Sequence, residues 1–500
     1  MMKFTKKISM FLCVLTVLLT FSACGNSSSD ETADTKKSDA AVTNEEGNTE
    51  DVITEQPPPT LPEKNYNGES FVILDRYVAG TAWDWRNRDI YAAELTGEGV
   101  NDAVYTRNLN VEDKFNVKIE EFGVDIGQML TTLRNVVQAG DTSYDLVAPN
   151  FEVGIQAAQA HLLYDLKEME HVNLDASYWN QKMMQNTSIA GRVFYAIGDI
   201  SIMANDGTWI MMFNKQAVED NSIENLYTVV REGKWTIDKF YEIASSFSRD
   251  LDGDGKFGEG DVYGLVTSDD TVQGLLYSTG FNIIQKDTND MPSIAPLSER
   301  TMTVAEKILQ IMHGNNITYN NSTNGRTHLS GQAVFEEGRG LFYAEVMQCV
   351  IRLREMEIDF GVLPFPKYDE EQKEYTTFIH PWASSTIAIP WSSGDVERSQ
   401  IILEEMAYQS QKYLTPAYYD QALKYKAMRD EESSEMLDLI LAGRMSDIGY
   451  ISNLGGLYSG VRGQLVANKA DIASFYTKME KAAGKALEKL ITSVEEYSGS

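Results

Sequence analysis

The chain has 500 residues, 43% of them hydrophobic and 10% aromatic, and carries a formal net charge of −31. That length exceeds one ordinary hydrophobic core and points to two or three domains, or to one two-lobed body. The apolar content is that of a globular chain, while the acidity argues against wrapping nucleic acid or lying on an anionic bilayer, since both want clustered Lys and Arg.

Lys3, Lys6 and Lys7 precede the apolar run ISMFLCVLTVLLTF (8–21), and Ser22 and Ala23 are small. Residues 1–23 therefore read as an export signal, too short and wrongly flanked for a lasting membrane span. Phe21-Ser22-Ala23-Cys24 followed by Gly25 resembles a bacterial lipoprotein lipobox, with Phe in place of the usual Leu. The resemblance implies cleavage before Cys24, a lipid on its sulfur, and a protein held at the extracellular face of the cell membrane by that anchor alone. Of the three cysteines, Cys13 leaves with the signal and Cys24 carries lipid. Cys349, in the apolar setting FYAEVMQCVIRL, is left as a buried small side chain, so no intramolecular disulfide is expected. Residues 24–65 are rich in Ser, Asp, Glu, Thr and Lys and close on EQPPPTLPEK. This is the composition of a disordered tether, reaching on the order of 35 Å by random-coil scaling.

Beyond the tether, SFVILD (70–75) reads as a buried strand, VYTRNLNVEDKFN (104–116) as an amphipathic helix and VKIEEF (117–122) as a second strand. IGQMLTTLRNVVQAG (126–140) is helical up to Gly140, and YDLVAPN (144–150) is a third strand. Such β–α–β units build a parallel-type α/β sheet. After a helical segment near 153–160, the apolar runs GRVFYAIGD (191–199) and TWIMMFNK (208–215) flank the small polar stretch ISIMAND, where a chain can pass between lobes. TIDKFYEIASSFSR (236–249) puts Ile237, Phe240, Tyr241, Ala244 and Phe247 on one helix face behind Thr236 as N-cap. Further on come a helix over 301–312, the segments 333–346 and 360–369, and a strand at SSTIAIP (384–390). Helical stretches over 396–410, 416–428, 432–443 and 468–493 follow, and no repeat of fixed period is present.

RDLDGDGKFGEGD (249–261) has the pattern of a calcium loop. Asp250, Asp252 and Asp254 occupy positions 1, 3 and 5, Gly255 takes the sharp turn, Lys256 offers a backbone carbonyl and Asp261 stands at position 12. A hard divalent ion needs several converging oxygens, and alternate aspartates in a tight loop supply them. One loop followed by the strand-like VYGL is not the paired helix–loop–helix of a sensor, so a structural Ca2+ is expected.

AVYTRNLNVEDKFNVKI (103–119), YDLVAP (144–149), GRVFYAIGDIS (191–201), WIMMFNK (209–215) and GKWTIDKFYEIASSFSRDLDGDG (233–255) carry a wider resemblance. FEEGRGLFYAE (335–345), FGVLPFPKYDE (360–370) and TPAYYDQALKYKAMRDEESSEMLDLI (415–440) extend it over nearly the whole body. Together these segments resemble the extracellular solute-binding proteins of bacterial ABC importers, in the sugar-binding branch. The resemblance implies an α/β, class II periplasmic-binding-protein-like fold. Each of its two lobes would be a mixed sheet flanked by helices, joined by a hinge with crossings near 202–208, 370–382 and 411–415. The N-terminal lobe would then comprise 66–205 with 382–412, and the C-terminal lobe 206–375 with 413–500. Further implied are a carbohydrate ligand, the transmembrane subunits of an ABC permease as partners, a monomeric state and no nucleic acid.

Sugars favour flat aromatic faces with polar groups beside them. On that pattern Trp83, Trp85 and Arg86, in the loop after the first strand, are candidate ligand contacts. Asp206 and Trp209 at the first crossing, His380 and Trp382 at the second, and Tyr277, Phe281 and Glu345 in the other lobe complete the set, while Trp179 and Trp235 read as packing anchors. The five histidines are scattered, without HExxH, G-x-S-x-G or P-loop signatures, and no catalytic residue is assigned. The alternatives are a surface glycoside hydrolase or lyase using two carboxylates, an adhesion or sensory protein, and a binder of peptide or polyamine.

Overall fold

Phe71, Ile73 and Leu74 form a nearly continuous buried run, as suits a strand covered on both faces, and Glu69–Tyr77 is strand β1. The computed structural model describes residues 57–77, 87–314, 316–323, 325–424 and 431–497. After β1 come α1 (Gly99–Phe115), β2 (Val117–Asp125), α2 (Ile126–Ala139), β3 (Leu146–Val147) and α3 (Phe151–Gln159). Local chemistry sets these boundaries. Asn116 at φ 48° ends α1 in a left-handed cap, Gly140 at φ 64° does the same for α2, and the Asn150 side chain accepts from Val153 N at the start of α3. The strands form a parallel sheet in the order β2-β1-β3, the core of the first lobe.

Two expected strands are shorter here. Pro149 curtails the third, which is only the two residues of β3. The expected strand 384–390 makes isolated antiparallel bridges, Ala388 to Val147, Ile387 to Ala196 and Pro390 to Leu163. Its polar half bonds elsewhere: Ser384 Oγ donates to Pro381 O, Ser385 Oγ to Asp89 and Thr386 Oγ1 to Pro149 O.

After α4 (Gln181–Thr187) and α5 (Met203–Asp206) the chain enters the second lobe. There follow β4 (Trp209–Asn214), α6 (Lys215–Asp220), α7 (Leu226–Arg231), α8 (Ile237–Phe247), β5 (Tyr263–Thr267) and α9 (Thr271–Ser278). A small hairpin, β6 (Ile284–Lys286) and β7 (Pro292–Ile294), precedes α10 (Glu299–His313), β8 (Thr318–Asn320), α11 (His328–Glu336), β9 (Gly340–Val346), α12 (Gln348–Arg352) and β10 (Phe360–Leu363). The sheet order is β10-β4-β9-β5-β8, with β4 antiparallel to both neighbours and β5 parallel to both of its own. The lobe is therefore a mixed sheet. Trp235 lies at its centre, fully buried against Phe240 and Phe342, with its indole N–H donated to Pro364 O.

The return between lobes runs through β11 (Thr377–Phe378), whose neighbour Ile379 bridges Thr208 of the outgoing crossing. The helices expected over 396–410 and 416–428 are one, α13 (Val396–Lys424), which continues through Pro416; residues 425–428 of the second lie outside the described residues. The crossing expected near 411–415 is thus a stretch of unbroken helix. α14 (Glu431–Ala442), β12 (Arg444–Met445), α15 (Ile448–Ile451), α16 (Leu457–Val466) and α17 (Ile472–Glu495) complete the chain. One apolar cluster, including Phe71, Phe115 and Ile401, belongs to the first lobe, while a second runs without a break from Leu74 and Phe151 to Trp235 and Phe342. Cys349 is buried, and burial pushes its thiol up. No helix of the described residues is long and apolar enough to cross a membrane.

Candidate functional site

Several elements end on one cavity of about 200 Å³. β4 starts there with Trp209, which the strand register sets opposite Val346 at the end of β9, next to Glu345. Asp270 enters from the turn between β5 and α9, and His328 is the first residue of α11. The second crossing, drawn alongside the first by the Thr208–Ile379 bridge and by His380 N donating to Gly207 O at 2.9 Å, supplies His380, Trp382 and Ala383.

The polar groups of this cavity are mutually held. Glu345 is almost fully buried, and its carboxylate accepts from Val346 N at 3.0 Å and from His328 Nδ1 at 3.2 Å. That carboxylate raises the His328 imidazole above its usual range. Burial lowers His380 and keeps it neutral near pH 7. Asp270 accepts from Arg462 Nη2 at 2.7 Å, and Arg462 Nε also reaches Gln273 at 3.1 Å. Trp209 is fully buried against Phe365 and forms the floor, so Trp382 is the indole that offers a flat apolar face, with two carboxylates and two imidazoles around the space to exchange hydrogen bonds with hydroxyls.

Buried charge fixes the cavity's edge. Arg76, at the end of β1, donates to the carbonyls of Trp382, Ala383 and Ser384 at 3.3, 3.0 and 3.0 Å. Burial brings this guanidinium down to about 10 and pushes the neighbouring Asp75 up. Asp75 accepts from Asn87, and Asp89 accepts from Met203 N at 2.9 Å. Arg107 donates to the carbonyls of Asp89 and Ile90 at 2.6 and 2.8 Å. Residues 76 and 87–90 are thereby pinned to the two crossings. Trp83, Trp85 and Arg86, between them in sequence, lie outside the described residues.

Of the remaining expected contacts, Trp209, Glu345, His380 and Trp382 meet in the cavity and three others do not. Asp206 is fully buried; it pairs with Arg88 at 2.5 Å and accepts from Tyr418 of α13 at 3.0 Å, a bond that ties the hinge to the helix. Tyr277 is stacked on Phe378 at 4.9 Å with its hydroxyl on Asp447, and Phe281 packs beside it, so both are core. Asp270 and His328 were not among the sequence candidates. Asp270 follows the carboxyl end of a parallel strand, where open α/β sheets bind ligands, so a topological signal existed for it. His328 carries no comparable signal.

In the acidic loop, ligand atoms of Asp250, Asp252 and Asp254 lie within 4.8 Å of one another. Asp250 accepts from Gly253 N and Gly255 N at 2.7 and 2.8 Å, and Gly255 takes φ 77°, a conformation that favours glycine. Asp261 stands apart from this group. Its oxygens accept from Gly258 N and Leu251 N at 2.7 and 2.9 Å, which lower its pKa and close the loop as a peptide clamp. Lys256 follows the three aspartates and donates its N–H to Asp254 at 2.7 Å.

No family model matches the sequence, and no curated protein matches it either. Solved structures do resemble the fold. A cyclic alpha-maltosyl-1,6-maltose binding protein from Arthrobacter globiformis superposes with a TM-score of 0.56 at 14% identity, over 85% of this chain and 99% of that one. The UgpB protein of Mycobacterium tuberculosis, solved with glycerophosphocholine, gives 0.55 at 14% identity over 78% and 95%. The ABC substrate-binding protein Lmo0181 of Listeria monocytogenes, in complex with cycloalternan, gives 0.52 at 10% identity over 86% and 99%. At these identities the likeness establishes the architecture, a two-lobed periplasmic-binding-protein-like fold.

Proposed function

We propose that this protein is the substrate-binding component of an ABC importer and captures a carbohydrate, in the form of an oligosaccharide, between its lobes. The observation that carries this reading is the convergence of Trp209, Trp382, Glu345 and His380 on one cavity where both crossings meet the end of β9. Its support from outside the chain is a fold shared with proteins solved with cycloalternan or described as binding a cyclic maltosyl-maltose. The Trp382 face packs against a sugar ring while the carboxylates accept from hydroxyls. Ligand touching both lobes stabilises the closed form, which a permease then reads. No bond is made or broken. Lipid on Cys24 holds the protein at the extracellular face of the membrane, and a Ca2+ held by Asp250, Asp252 and Asp254 stiffens the corner between α8 and β5.

A thermal-shift screen over neutral oligosaccharides tests the reading, because a ligand that binds only the folded form raises its melting temperature. The expected result is a saturable shift for at least one oligosaccharide, weakened about tenfold or more by Trp382→Ala. Silence across the panel, or turnover of a sugar into products, overturns it.

A further inference from the structure

A second cavity, of about 110 Å³, lies at the hinge and shares no residue with the first. Ser177, Asn180 and Asp199 of the first lobe form one wall, Thr415 and Tyr419 of α13 another, and Arg444 of β12 closes it from the second lobe. Arg444 donates Nε to Leu441 O at 2.9 Å and Nη1 to Asn205 Oδ1. Among the described residues no hydrogen bond uses its Nη2, and no carboxylate lies within ion-pair distance. Burial lowers the pKa of this guanidinium while Asp199, across the cavity and beyond ion-pair distance, offsets part of that cost, so its Nη2 remains a donor for an oxygen placed between them. Opposite stands Asp199, one oxygen of which accepts from Thr415 Oγ1 at 2.8 Å.

We propose that this hinge cavity binds a small oxyanion that carries its own hydroxyl, with hydrogen phosphate as the type. Its oxygens accept from Arg444 and its hydroxyl donates to the Asp199 carboxylate. The volume is that of about four waters at ~30 Å³ each, which admits a phosphate group. Sulfate at neutral pH has no proton to give, so an ionised Asp199 repels it without compensation. Burial raises Asp199 to about 6, with Thr415, Gln411 and Arg444 facing it and opposing that rise. Selectivity for phosphate over sulfate is therefore largest above pH 6 and fades below it, where a protonated Asp199 can donate to either ion. An anion held here touches both lobes and α13, and so couples to their relative placement.

Calorimetric titration of the full chain with sodium phosphate and with sodium sulfate, at matched ionic strength and pH 7.5, tests the proposal independently of any sugar. Phosphate should bind about tenfold tighter than sulfate or better, a preference that one charge-assisted hydrogen bond supplies. Asp199→Asn should abolish the preference while phosphate still binds, and Arg444→Gln should abolish binding of both ions. Absence of phosphate binding, equal binding of the two ions to the unaltered protein, or an unchanged preference in Asp199→Asn overturns the proposal. Should Arg444→Gln fail to fold, Asp199→Asn and the pH dependence of the preference decide it alone.

Discussion

Arg76 shows how one side chain ties the scaffold to the site. It is fully buried beside Asp75 and spends its guanidinium on three successive carbonyls that carry Trp382 and Ala383. Arg76→Met should cost about 1–3 kcal/mol of stability in urea denaturation, because three carbonyls lose their buried donor, and it should weaken the proposed sugar binding by releasing Trp382. Loss of stability with sugar affinity intact would show that the backbone at 382–384 holds itself. His328 gives a second test. Its folded pKa is raised by Glu345, so the stability it contributes is complete below its unfolded value near 6.5 and is lost as pH rises through the folded one. Between pH 6 and 8 the melting temperature should therefore fall more steeply in the unaltered protein than in His328→Gln, and parallel curves would deny the pair any role. Among the candidate residues, Trp209, Glu345, His380 and Trp382 share a cavity because they sit where segments end and lobes meet, a placement that the order of segments made legible. Tyr277 and Phe281 were misassigned because an aromatic in an apolar run looks the same in sequence whether it faces a cleft or a core. His328 was missed because only the placement of α11 brings it to Glu345.

At the scale of elements, the β6–β7 hairpin of the second lobe grips residues 185–191 of the first, the end of α4 and the turn after it. Lys286 Nζ donates to Gln185 O and Ser188 O at 2.5 and 2.6 Å and pairs with Asp290 at 2.9 Å, while Asp290 accepts from Gly191 N at 2.9 Å. Lys286→Met leaves two carbonyls and a carboxylate short of a donor, a loss of about 1–3 kcal/mol. Hydrogen exchange should then quicken together in residues 185–191 and 284–294. Faster exchange in the hairpin alone would mean that the two segments do not act as a unit. The sequence foretold elements wherever periodicity and caps agreed, as in α2 with Gly140 and α8 with Thr236. It misjudged α13, since Pro416 suggests a helix boundary but helix packing on either side of it outweighs one lost backbone bond.

For the whole molecule, the two-lobed plan was legible because β–α–β alternation and repeated crossings leave their mark in the order of segments. The mixed second sheet, implied by the resemblance, is present, but its strand order was not legible, since order follows from long-range pairing such as β4 with β9. The acidic loop acts at this scale as well. If the three aspartates hold Ca2+, EDTA should lower the melting temperature by about 2–5 °C without abolishing the proposed sugar binding. An unchanged melting temperature would leave the loop as hydrogen-bonded turns only.

The last helix starts in the second lobe, where Tyr476 donates to Ala295 O at 2.6 Å, but it does not finish there. Past α17, Tyr497 is buried against Phe194 and Trp391, stacks under Arg192 at 4.9 Å, and accepts at its hydroxyl from Asp165 N at 3.1 Å. The start of the described chain also rests on the first lobe, with Leu61 and Tyr66 packed on its apolar cluster. Both ends of the described chain thus rest on one body, so in a hinge closure of the two lobes the first is the stator and the second the rotor. For anyone building a fluorescent reporter of closure, dyes near residues 61 and 497 would move together and stay silent. One dye belongs on the rotor, at exposed Leu329 or Leu439, with its partner at exposed Leu109 on the first lobe.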